Sequence, residues 1–180
     1  MIKKIVFLIF LFSCLAGLSQ KFKSSSSLIS FYSEATLEDI TASNKSASSL
    51  IDLNNKAIVI VVPIKSFSFK KKLMQEHFNE NYLESHKYPN ATFKGKIVEW
   101  DGSVGETEAT AEGTLEIHGI TKEVSIVGDI NYQGDNIRLN TTFPVRLEDF
   151  KIKIPKAVFY NIAEVVEVTA TFDYKPYEKN

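Results

Sequence analysis

The sequence predicts a mainly β protein of about eight short antiparallel strands and one short helix, arranged as a sandwich or a closed barrel. Three observations predict it. Apolar and polar residues alternate with period two through most of the chain after residue 20. Glycine-bearing turn segments such as "DGSVG" and "QGD" separate the alternating runs. A single stretch carries apolar residues four apart, the spacing of one helix face. At 180 residues and 44% hydrophobic, the chain suits one domain with its own core.

The first element belongs to targeting. Lys3 and Lys4 precede an unbroken apolar run from Ile5 to Phe12, and "GLSQ" supplies small residues for cleavage after Ser19. The run falls short of the ~20 apolar residues a spanning helix needs, so residues 1–19 read as a secretory signal peptide. The mature domain then covers residues 20–180, starts at Gln20, and is expected to be periplasmic or secreted. "LFSC" loosely matches a lipoprotein box that would lipidate Cys14. The bulky Phe12 and the apolar residues beyond Cys14 favour plain secretion instead. Cys14 is the one cysteine, so disulfides do not hold the fold together. Taking the two leader lysines from 21 basic residues leaves 19 against 22 acidic ones, a net charge of −3. With no basic arm or stripe, nucleic acid is not the expected partner.

"LISFYSEA" and "SLIDL" are the first strand candidates. "AIVIVVPI" (Ala57 to Ile64) is a β-branched run fit for a strand covered on both sides. From Lys70 to about Leu83, Met74, Phe78 and Tyr82 recur at helical spacing. Pro89 disfavours helical geometry at Tyr88 and so sends the chain extended into the next strand. "ATFKGKIVEW" (Ala91 to Trp100) places Phe93, Gly95 and Ile97 on one face, with Lys94 and Lys96 on the other. After "DGSVG", the glutamates 106, 108, 112 and 116 share a face with Thr110 and Thr114, opposite Ala109, Ala111, Gly113 and Leu115. A hairpin would bring Lys94 and Lys96 near that acidic row, worth roughly 0.2–1 kcal/mol per pair. "VSIVGDINY", "NIRLNTTFPV" and "VVEVTATFDY" supply the remaining strands.

A barrel of eight strands is either filled by side chains or wide enough for one small ligand. Ala91, Gly95, Ala109, Ala111, Gly113, Gly128 and Ala170 are small residues on apolar faces and favour a cavity. The competing reading makes them tight bends or close packing. Candidate chemistry is sparse. His77, His86 and His118 lack metal-ligand spacing, and His118 reads as a surface continuation of the glutamate face. Only Glu116 with His118 could approach a metal, so no metal is assigned. No nucleophile–base motif or phosphate loop stands out, and no enzymatic activity is expected.

"HFNENYLESHKYPNATFKGKI" followed by "GTLEIHGITKEVSI" resembles the YceI-like family of secreted lipid-binding proteins. The resemblance is carried by His77, Phe78, Tyr82, Tyr88, Pro89, Phe93, Gly113, Leu115, Gly119, Thr121 and Lys122, and runs from about Leu28 to Lys175. It implies a lipocalin-like extended antiparallel β-barrel without enzymatic activity, whose lumen takes the tail of an isoprenoid quinone, polyprenyl lipid or similar amphiphile. The expected partners are that amphiphile and, transiently, a membrane; no other cofactor is implied. Two departures concern the lumen mouth. Met74 and Gln75 replace the family's Arg-Asp pair, and "LEDFKI" (Leu147 to Ile152) carries Leu147 for arginine and Lys151 for glycine.

The inward faces would then supply the lumen wall. These are Phe31; Ile58, Ile60 and Val62; the helical Met74, Phe78 and Tyr82; and Phe93 with Ile97. Further along come Ala109, Ala111 and Leu115; Ile126 and Ile130; Ile137, Leu139 and Phe143; Phe150; and Val168 with Phe172. The alternative is a secreted stress-response or interaction module with a filled barrel and no lipid.

Overall fold

The computed structural model describes residues 21–34, 39–153 and 163–177. The leader and Cys14 lie outside the described residues. The strands, in chain order, are β1 (Lys21–Ser33), β2 (Ile40–Asn44), β3 (Ser48–Asp52), β4 (Ala57–Pro63), β5 (Ser68–Phe69), β6 (Asn90–Ile97), β7 (Gly105–Ile117), β8 (Ile120–Tyr132), β9 (Ile137–Arg146) and β10 (Val165–Pro176). Helix α1 (Lys72–His77) lies between β5 and β6.

All neighbouring strands are antiparallel, in the order β10-β9-β8-β7-β6-β4-β3-β1, and β1 pairs back onto β10. That last pairing decides between sandwich and barrel. It closes a ring of eight strands, which leaves no open edge in the ring. Closure needs β1 to bend, and its register against β10 shifts between Ser24 and Ser26, the mark of a β-bulge. The two extra strands are partial. β2 and β3 share one edge of β1, β3 against Lys21–Lys23 and β2 against Ile29–Ser33, so they act as one interrupted strand. The fully buried Asn44 bridges the break: its Nδ2 donates to Pro63 O (2.8 Å) and its Oδ1 accepts from Ser46 N (2.7 Å). β5 adds two residues to the outer edge of β2.

Antiparallel up-and-down order gives the barrel two distinct ends. The end holding the start of β1, the end of β3, the β8–β9 turn and the end of β10 is solid. Phe22, Ile51, Trp100, Ile137 and Tyr174 are buried there. Tyr132 meets Phe22 and Trp100 edge-on, with ring centroids 6.1 and 5.7 Å apart. The Tyr174 hydroxyl donates to Ser49 Oγ (2.7 Å), which donates on to Val59 O (2.9 Å). Burial pushes the Tyr174 hydroxyl pKa up, so it stays a neutral donor. The other end carries α1.

Three expectations are corrected here. β4 is covered on one face only: Ile58 is buried, while Val59 is exposed on the outside of the ring. The helix is shorter than Lys70 to Leu83. After His77 its last turn widens, with Leu83 N donating to Phe78 O (2.9 Å). Its stop is Glu84 in a left-handed conformation (φ 41°), five residues before Pro89. Pro89 instead helps dock the next strand, its carbonyl accepting from Ile64 N (2.8 Å).

The third correction concerns glycine. Gly95 and Gly113 face each other across β6 and β7. A Cβ on Gly95 would run into Glu112 O, and one on Gly113 into Lys94 O. Their small size serves a close strand crossing rather than lumen space. In the same register Lys96 lies opposite Glu112, whereas Lys94 faces Thr114.

Candidate functional site

Above the solid end, the barrel encloses a cavity of about 240 Å³. Each strand reaches it by alternation, so every second residue of β4, β7 and β10 (Ile58, Ile60, Val62; Ala109, Ala111; Val166, Val168, Ala170, Phe172) stands on the wall. Among the described residues the one charged residue at the wall is Asp129, which is exposed. The helix end of the cavity is aromatic. Phe78 stacks on Phe31 (5.7 Å, 18°) and packs against Phe67 (5.5 Å) and Phe69 (5.0 Å). Met74, Phe78 and Tyr82, four residues apart, turn the inner face of the helical segment to the cavity.

Eighteen of the twenty residues assigned to the lumen from sequence stand on this wall. Ile137 and Phe150 do not. Ile137, 1% exposed, begins β9 beside Tyr132 and Tyr174, in the solid end. Phe150, 4% exposed, is buried in the turn Leu147–Phe150, and Leu147 and Ile152 reach the cavity from that segment instead. The wall also includes Ile29, Phe67, Phe69, Leu83 and Val145, which the sequence reading passed over. Ile29 is two residues from Phe31 and Val145 two from Phe143, so extending the alternation by one step would have found those two.

His118 is not a surface residue. It occupies the β7–β8 turn with φ 53°, followed by Gly119 at φ 70°, the left-handed pair that a two-residue hairpin turn requires. A Cβ on Gly119 would run into the Tyr88 ring. The His118 ring packs edge-on to Tyr88 (4.7 Å). Its Nε2 lies 2.8 Å from Glu84 Oε2 and its Nδ1 3.1 Å from Phe150 O. Both partners are acceptors, so the imidazolium can donate to both and the neutral ring to one. The hydrogen bond from His118 holds the Glu84 carboxyl below its ordinary pKa, with Lys87 adding a smaller electrostatic contribution. The clamp ties the helix exit, the β7–β8 turn and the turn after β9 together at the helix end.

The YceI-like domain model matches residues 20–174. The chain belongs to the YceI-like family. A UPF0312 protein of Pseudomonas putida is 35% identical over 83 residues, 43% of this chain and 42% of that protein. A UPF0312 protein of Pseudomonas savastanoi is 34% identical over the same shares. The chain thus aligns with less than half the length of these curated relatives. Among solved structures, a polyisoprenoid-binding domain from Saccharophagus degradans superposes with a TM-score of 0.76 at 15% identity, covering 87% of this chain and 98% of that one. Burkholderia cenocepacia BcnA gives a TM-score of 0.71 at 16% identity over 82% and 95%. At these identities the likeness is one of fold.

Within the YceI-like family pattern, this chain's departures have structural counterparts. Leu147 and Met74, which stand where the pattern has an arginine and part of an Arg-Asp pair, both line the cavity. Lys151, which stands for glycine, keeps a left-handed backbone at φ 55°. Met74 and Leu147 thus present apolar side chains to the cavity wall.

Proposed function

We propose that this protein is an exported, non-enzymatic carrier or reservoir that holds the apolar tail of an isoprenoid quinone, polyprenyl lipid or similar amphiphile in its barrel. The observation that carries the reading is the cavity itself: apolar, without an inward charged side chain among the described residues, and filled by aromatics at one end. Such a wall offers a hydrocarbon chain everything it needs and a polar metabolite very little. The fold neighbour described as a polyisoprenoid-binding domain supports the same class of ligand.

Magnitudes suggest the length of tail. Burying apolar chain gains roughly 0.8 kcal/mol per methylene-sized group. Association costs an estimated ~4–15 kcal/mol, so a single isoprene unit would not hold and several would.

Protein purified from its native host without detergent should carry such a lipid, seen as added mass in native mass spectrometry. A clean apo spectrum with no uptake of quinones or polyprenyl lipids would overturn the reading in favour of a lipid-free module. Intact mass of the exported protein tests the leader. Gln20 is the expected first residue, whereas a diacylglycerol on Cys14 would make it a membrane-anchored lipoprotein.

A further inference from the structure

The two most exposed large apolar side chains of the described residues have opposite electrostatic surroundings. Val104, 69% exposed, sits in the turn before β7 between Asp101 and Glu106. Leu73, 64% exposed, lies on α1 directly after Lys70, Lys71 and Lys72, with Lys65 a few residues earlier. Lys65, Lys70 and Lys72 are exposed, and the acidic residues of the segment, Glu76 and Glu80, come one and two turns later. The neighbour of Leu73 in sequence, Met74, faces the cavity. The short helix therefore shows Lys72 and Leu73 to the outside, just after the exposed Lys70, and Met74 to the lumen.

From this juxtaposition we propose that the Lys65–Leu73 surface docks the protein on an anionic lipid bilayer. Lysines placed around an exposed leucine are the pattern of an interfacial contact: the ammonium groups meet lipid phosphates while the leucine enters the headgroup boundary. Docking through this surface turns the barrel's helix end toward the bilayer, with Val104, next to the Gly105–Tyr132 pairing, at the opposite end. That orientation brings the cavity's aromatic end to the membrane, where a long-tailed amphiphile resides. The purpose of docking rests on the carrier function proposed above, but the contact itself does not depend on cargo.

The test is co-sedimentation with vesicles of phosphatidylcholine containing roughly one third phosphatidylglycerol, set against pure phosphatidylcholine vesicles. The wild-type protein should bind the anionic vesicles, and salt should release it by screening. Lys70→Glu combined with Lys72→Glu should weaken that binding by about tenfold or more, and Leu73→Ser should weaken it while leaving its salt sensitivity. All three positions are exposed, so thermal melting should match the wild type. Absence of wild-type binding to anionic vesicles, or unchanged binding by the charge-reversed variant, overturns the proposal. Uptake of a polyprenyl lipid from detergent micelles, followed by native mass spectrometry, separates the two readings. Docking without uptake removes the carrier function and keeps the surface; uptake without docking does the reverse.

Discussion

Glu84 and His118 are two non-glycine residues with left-handed backbones, at φ 41° and 53°, and each is held by the other's side chain. A left-handed backbone costs a side-chain-bearing residue roughly 1–2 kcal/mol. The pair of hydrogen bonds to His118 offsets that cost. His118→Asn keeps a residue that tolerates the left-handed turn but cannot span both partners, so it should destabilise the protein by roughly 1–3 kcal/mol, read from a melting curve. The pH dependence follows from the carboxylate. Because the Glu84 pKa is lowered on folding, chiefly by the His118 hydrogen bond, its contribution is complete above the ordinary carboxylate pKa. It is lost as the pH falls through the lowered value. The gap in melting temperature between wild type and Glu84→Gln should therefore hold above the ordinary carboxylate range and close as the pH is lowered through and below it; a constant gap would contradict the clamp. The sequence held a sign of this. Strand alternation breaks at "IHGI", a two-residue turn between matched runs, and continuing the glutamate face across it misplaced His118.

At the level of elements, β6 and β7 show why strands were legible and their glycines were not. Period two in "ATFKGKI" and "ETEATAEGTLEI" marked both strands and their inward faces. Whether Gly95 and Gly113 make room for a ligand or for a neighbouring backbone depends on what crosses them, which one strand's sequence does not record. The crossing makes both positions intolerant. Gly113→Ala should lower the urea midpoint by an amount equivalent to roughly 1–3 kcal/mol or more, because the added methyl meets the Lys94 carbonyl and not a side chain that can turn away. A midpoint unchanged by that methyl would mean that the strands separate easily there. The helix shows the same division. Its inward face was readable from Met74, Phe78 and Tyr82, while its end, set by the backbone at Glu84, was assigned instead to Pro89.

Over the whole molecule, the inward rows locate the wall of a barrel but carry no information about position along its axis. Ile137 and Leu139 share a face of β9 two residues apart, yet Ile137 is packed into the solid end and Leu139 lines the cavity. Only the ring order and the aromatic contacts among Phe22, Trp100 and Tyr132 separate the two environments. The distinction can be measured with one substitution in each. Ala111 is on the cavity wall between Ile97 and Ile126, so Ala111→Trp should project its ring into the lumen. Lipid uptake should then be lost while the melting temperature stays close to the wild type, since no packed side chain has to move. Ile137→Ala removes buried volume where nothing can enter to replace it, and should cost roughly 2–5 kcal/mol while uptake persists in the folded fraction. A large drop in melting for Ala111→Trp would show packed core where the cavity is drawn. Intact uptake in a stable Ala111→Trp protein would put the tail elsewhere, because a tail seated beside Ala111 and an indole ring at that position cannot share the same space.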